Sequence, residues 1–174
     1  MFQRHFHRAN AASIGLLPAH AKRWLLDNGS LTARLMHASQ TTFEVEVLFQ
    51  GIARPNFNEA RALHIKPSAR CLIREVQLCV DGTPWVYARS IIPLASLKGE
   101  LGFLKKLKNS ALGALLFKDP GLKRSHFEVF AGHLPYMPPS ELHPEETSFS
   151  RRSIFTLKGQ PLLVAETFLP ACRL

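Results

Sequence analysis

Two charged residues stand where charge is expensive. Side chains alternate between the two faces of a strand, so Leu72, Arg74, Val76, Leu78 and Val80 form one row of the stretch 71–80, and Arg74 is the single charge in it. By the same period Leu162, Val164, Glu166 and Phe168 share a face of the stretch 161–169, where Glu166 stands alone among hydrocarbons. An isolated charge held away from water costs several kcal/mol even after relaxation, so each needs a partner. Two arrangements meet that need. In one, Arg74 and Glu166 pair with each other as a structural salt bridge. In the other, both face a ligand cavity, where Arg74 clasps a carboxylate through its guanidinium fork and Glu166 accepts a hydrogen bond from a hydroxyl.

Other chemistry-bearing residues have weaker contexts. His5 and His7 are spaced for a loose metal contact, but they lie between Arg4 and Arg8 in a terminal arm and read as solvated side chains. His133, Glu141, His143, Glu145 and Glu146 carry ligating atoms without a recognised ligand spacing, in a proline-rich loop. Ser90, Ser110 and Ser153 lack a nucleophile-elbow context, and no glycine-rich phosphate loop occurs. Trp24 and Trp85 read as core or rim aromatics.

The elements that must position Arg74 and Glu166 follow from turn and period signals. Residues 1–17 read as an irregular arm. Pro18 opens a short helix that stops near Asn28-Gly29, and Ser30 or Thr32 caps a second that runs to Met36. Phe43, Val45 and Val47 alternate with Glu44 and Glu46, which predicts a half-buried strand over 43–48. Asp81-Gly82-Thr83 joins 71–80 to 84–92 as a β-hairpin, because the Asp-Gly pair favours positive φ. Leucines at 101, 104, 107, 112, 115 and 116 predict helices over 94–108 and 110–117. A strand is expected over 125–130. The segment 131–148 holds Pro135, Pro138, Pro139 and Pro144 and reads as a loop. Lys158-Gly159-Gln160 then joins 153–157 to 161–169 as a second hairpin. Strand, hairpin, helices, strand and hairpin define an α+β fold with a mostly antiparallel sheet.

Composition sets the outer limits. A chain of 174 residues fits one domain and can bury about 70% of its unfolded surface. Apolar residues make up 46% and charged residues 20%, the balance of an ordinary globular protein. Twenty-two Lys and Arg against 13 Asp and Glu give a net charge of +9, which draws anions of any kind. The basic residues are scattered, with short groups at Lys105-Lys106-Lys108 and Arg151-Arg152, so nucleic acid is not the expected partner. Cys71 and Cys79, on one strand, lie roughly 26 Å apart at strand rise, beyond a disulfide. No CxxC pair, signal-peptide stretch or long apolar run is present, so a cytoplasmic protein without stable membrane insertion is expected.

Several short motifs, in order, resemble the chorismate pyruvate-lyase family. They are Trp24-Leu25-Leu26 with Gly29-Ser30-Leu31-Thr32; Leu72-Ile73-Arg74-Glu75-Val76 with Asp81-Gly82-Thr83-Pro84-Trp85; and Ala88-Arg89-Ser90 with Pro93. Leu112-Gly113 with Leu116-Phe117, Arg151-Arg152-Ser153, Gly159-Gln160-Pro161-Leu162-Leu163 and Glu166-Thr167-Phe168-Leu169-Pro170 follow. The resemblance covers about Trp24 to Pro170. It implies a six-stranded antiparallel sheet with helices packed around it and an internal site under helical flaps. It also implies that Arg74 holds a ring carboxylate, that Glu166 meets a ring hydroxyl, and that the backbone amides of Leu31 and Leu112 help bind carboxylate oxygens. The implied activity converts chorismate to 4-hydroxybenzoate and pyruvate, toward the ubiquinone ring, in a monomer that needs neither metal nor redox cofactor. A rival reading is a non-catalytic effector-binding domain, since effector domains of one bacterial transcription-regulator family resemble this fold. Only about 40 residues precede the first expected strand, too few for a winged helix and linker, and sensing alone gives Glu166 no purpose.

Overall fold

The computed structural model describes residues 7–8, 17, 19–131 and 149–172. The expectations for the rest of the arm, for Pro18, for His5 and for 132–148, including its His and Glu cluster, lie outside these residues. One antiparallel sheet organises the chain. Its strands are β1 (His7–Arg8), β2 (Phe43–Ala53), β3 (Cys71–Val80), β4 (Thr83–Pro93), β5 (Lys123–Arg124), β6 (Glu128–Ala131), β7 (Phe149–Leu157) and β8 (Gln160–Phe168). Across the sheet they run β1-β6-β7-β8-β4-β3-β2, with β5 also pairing β7. Six of the described strands have four residues or more, which meets the six-stranded expectation; β1 and β5 add two-residue edges. The pairing of β1 with β6 gives the arm a structured point that local pattern could not reveal.

Both hairpins form where their turns demand. Asp81 and Gly82, and then Lys158 and Gly159, all take positive φ, the conformation such two-residue turns need. Asp81 also accepts from the amides of Gln40, Thr41 and Thr42 at 2.8–3.0 Å and so ties the turn to the start of β2.

The differences from expectation have local causes. Strand β2 continues to Ala53 because a register shift between Val47 and Phe49 breaks the alternation without ending the pairing. Residues 94–108 form two 3₁₀ segments, Leu94–Leu97 and Gly99–Lys106, in place of one α-helix. Leu101, Leu104 and Leu107 recur every third residue, the 3₁₀ repeat, and all three are buried. Each such leucine contributes about 1.5–3 kcal/mol of burial, enough to hold a segment whose internal hydrogen bonds are poor. Short helices α1 (Ala19–Leu25) and α2 (Leu31–Ala38) lie between β1 and β2, and α4 (Leu112–Leu116) is shorter than expected. Between them, α3 (Phe57–Ala62) was not anticipated; its sequence signal is a capping box, in which Asn56 accepts from the Glu59 amide and Glu59 from the Asn56 amide, each at 2.8 Å.

The core divides at the row that carries Arg74. Val76 and Leu78 belong to an apolar cluster with Leu31, Leu35, Ala88 and Phe168, whereas Leu72 packs with Leu104, Leu112, Leu116 and Phe155. On β8, Glu166 stands between Phe168 of the first cluster and Val164 of the second. The other face of the sheet packs Cys71, Ile73, Tyr87, Ile91 and Ala165.

Candidate active site

A cavity opens at the seam between the two apolar clusters. Its floor is set by register: Arg74, Ser90, Val164 and Ser153 form one row across β3, β4, β8 and β7, and Val76, Ala88, Glu166 and Arg151 form the next. Arg74 and Glu166 are two strands and two residues apart, about 12 Å between Cα atoms at ordinary sheet spacings. The side chains between them, Ala88 and Ser90, are small, and that leaves the space. Gly29, Leu31 and Thr32 line the cavity at the start of α2, and Ala111, Leu112 and Gly113 at the start of α4. These two helices approach closely: a Cβ on Gly113 would stand 3.0 Å from the Thr32 hydroxyl oxygen. The hollow has room for a few water molecules.

The Arg74 side chain is almost wholly buried, and no carboxylate pairs with it among the described residues. Its Nη2 donates to the carbonyls of Lys108 at 2.8 Å and Ser110 at 3.0 Å, which pins the segment leading into α4. Its Nε is buried with no hydrogen-bond partner among the described residues. Burial lowers the guanidinium's pKa. Lys108 adopts positive φ in this pinned segment.

The partner of Glu166 is Arg151, on the neighbouring strand. Arg151 Nε donates to Glu166 Oε2 at 2.6 Å, and Nη1 donates to the carbonyls of Trp24 at 2.8 Å and Asp27 at 3.1 Å. The cation therefore also satisfies carbonyls at the C-terminal end of α1, where positive charge is favoured. This corrects one of the two expected arrangements: Arg74 and Glu166 do not bridge each other but face a common hollow.

The structure brings Arg74, Glu166, Leu31 and Leu112 to the lining of one cavity. Arg151 and Arg124, which share that lining, were missed as site residues. The signal for Arg151 was available: the Lys158-Gly159 turn pairs Leu157 with Gln160, and counting back along both strands sets Arg151 opposite Glu166. Nothing local marks Arg124, because it reaches the cavity from a two-residue strand on the far side of β7. Its Nε donates to Ser153 Oγ at 3.1 Å, its guanidinium lies 4.1 Å from the centre of the Phe127 ring, and its Nη1 is buried without a hydrogen-bond partner among the described residues. Burial, with the Arg151 cation beside it, brings Arg124 down to about 10, still protonated at neutral pH. Among the described residues no three His, Cys, Asp or Glu side chains gather as a metal site, and the three cysteines are buried and unbridged.

An antiparallel sheet with two short helices over a hollow that, among the described residues, is lined by three arginines and one glutamate places the molecule in the α+β class. Residues 4–174 match the family model described as chorismate lyase. The chain belongs to the chorismate lyase family, and is an enzyme of the lyase class. Similar relatives include a probable chorismate pyruvate-lyase of Marinobacter nauticus, 39% identical over 86% of this chain and 76% of the relative. Another, of Methylococcus capsulatus, is 38% identical over 85% and 93%. Among solved structures, the effector domain of PhnF from Mycobacterium smegmatis aligns with a TM-score of 0.62 at 13% identity, over 84% of this chain and 91% of that one. The possible transcriptional regulator YydK from Bacillus subtilis gives 0.58 at 15%, over 79% of this chain and 61% of that one. These two likenesses establish the fold alone. No helix among the described residues is long and apolar enough to cross a membrane.

Proposed function

We propose that the protein is a chorismate pyruvate-lyase, converting chorismate to 4-hydroxybenzoate and pyruvate and so supplying the aromatic ring of ubiquinone. The observation that carries this reading is the joint placement of Arg74, with a buried unpartnered Nε, and Glu166 on one small cavity. A flat acid with a carboxylate at one end and a hydroxyl at the other is complementary to that pair. Arg74 holds the ring carboxylate, assisted by the first-turn amides of α2 and α4 at Leu31 and Leu112, which have no intrahelical acceptor. Glu166 accepts from the C4 hydroxyl and is oriented by Arg151.

The reaction is an internal elimination. The proton on C4 passes to the methylene carbon of the enolpyruvyl group while the C3–O bond breaks. The C4–H electron pair becomes the new ring double bond, the C3–O pair becomes the ketone of pyruvate, and the enol double bond takes up the proton. Aromatisation drives the step, so the protein's task is to hold the side chain over C4 in a dry site. Substrate enters and product leaves by movement of the segments carrying Thr32 and Gly113, which makes release a slow step. The unbridged thiols fit a reducing cytoplasm.

The test is to incubate the purified protein with chorismate and follow 4-hydroxybenzoate by absorbance and pyruvate with lactate dehydrogenase. Equal formation of both is expected. Binding of 4-hydroxybenzoate without any turnover of chorismate would replace this reading with an effector-binding role.

A further inference from the structure

Chorismate carries a second carboxylate, on the enolpyruvyl group, and the residues assigned above leave it without a partner. We propose that Arg124 binds this carboxylate and thereby selects the substrate over its aromatic product. The inference rests on the proposed lyase reaction and adds the residue that reads the departing half of the molecule.

Position supports it first. With the ring carboxylate at Arg74 and the C4 hydroxyl at Glu166, the enolpyruvyl group on C3 lies beside C4, toward the Glu166 side of the cavity. Arg74 is on β3, whereas Arg124 hydrogen-bonds Ser153 on β7, three strands away along the same row. The two guanidinium groups therefore flank the ring from opposite sides. Charge supports it next. A carboxylate near Glu166 is repelled unless a cation compensates, and Arg151 is already committed to Glu166 and to backbone carbonyls. Arg124 has no carboxylate partner among the described residues, and its buried Nη1 donates to nothing. A cation left unsatisfied in a cavity is costly until an anion arrives. Its planar group is held against the Phe127 and Phe155 rings, at 4.1 and 4.8 Å, so it is oriented before the ligand binds.

The test compares two ligands that differ by the enolpyruvyl group. In Arg124→Gln, the KM for chorismate should rise about 10–100-fold, the range for losing a hydrogen bond to a charged group. The Kd for 4-hydroxybenzoate, which lacks that carboxylate, should stay within about threefold of wild type. Arg124→Lys, which keeps the charge and loses the fork, should show a smaller rise in KM with the same indifference to 4-hydroxybenzoate, and it supplies the same comparison if the glutamine variant does not fold. An unchanged KM for chorismate, or a parallel loss for both ligands, would overturn the assignment and make Arg124 part of the framework. Wild-type protein that leaves chorismate intact would instead overturn the lyase reading itself, so the two failures are separable.

Discussion

Buried charge sits on both faces of the sheet, and the two sets are balanced differently. On the face away from the cavity, Arg89 bonds Glu59 Oε1 from its Nε at 2.8 Å and pairs also with Glu75, one cation between two carboxylates. That cluster fastens α3 to strands β3 and β4. On the cavity face, Arg74, Arg124 and Arg151 line one hollow in which Glu166 is the one carboxylate among the described residues, and only Arg151 pairs with it. A framework needs its charges neutralised within the chain, because an unpaired one destabilises the fold. A site for a dianion needs cations that the chain leaves for the ligand. The difference in balance, rather than burial or charge alone, separates fastening from binding.

The largest expected effect tests the fastening side. Arg89→Met strips the counter-charge from two carboxylates and should cost about 3–5 kcal/mol of stability, read from denaturant unfolding, while the KM of the protein that remains folded is unchanged. A shift in KM without loss of stability would erase the contrast. On the cavity side, Glu166→Gln should lower kcat about 100-fold and leave KM within a few-fold, because it removes the charge that orients the hydroxyl and keeps the shape that Arg151 contacts. Arg74→Met should raise KM for chorismate and Kd for 4-hydroxybenzoate alike, by about 10–100-fold, since both ligands carry the ring carboxylate. That shared loss distinguishes it from Arg124, where only chorismate is affected.

The smallest effect concerns a charge outside both sets. Four hydrogen bonds from residues 40–42, those of the Gln40 and Thr42 amides first, hold Asp81 well below the usual carboxylate range. A depressed carboxylate stabilises the fold above the unfolded pKa and loses that contribution as pH falls through the folded one. Asp81→Asn should therefore lower Tm at neutral pH, and the gap to wild type should narrow below about pH 4, followed by thermal melts across the acid range. Catalysis should not change.

Much of this was legible in the chain. The period of two marked Arg74 and Glu166, and the Asp81-Gly82 and Lys158-Gly159 turns set both hairpins, because a tight turn fixes register and register fixes which side chains share a face. The same turn arithmetic would have found Arg151. Helix α3 had its signal in Asn56 and Glu59, and the 3₁₀ segments had theirs in the three-residue leucine spacing.

Local pattern determined which charges lie on apolar rows, and it did so from the sequence alone, since side-chain alternation and turn chemistry act over a few residues. Which charges meet was decided only by tertiary structure. The order β7-β8-β4-β3 puts Arg151 beside Glu166 and keeps Arg74 two strands away from it, and the return of residues 123–124 along β7 brings in Arg124 from a segment with no pattern of its own. Strand order depends on how the whole chain buries its apolar faces, so no window of residues contains it.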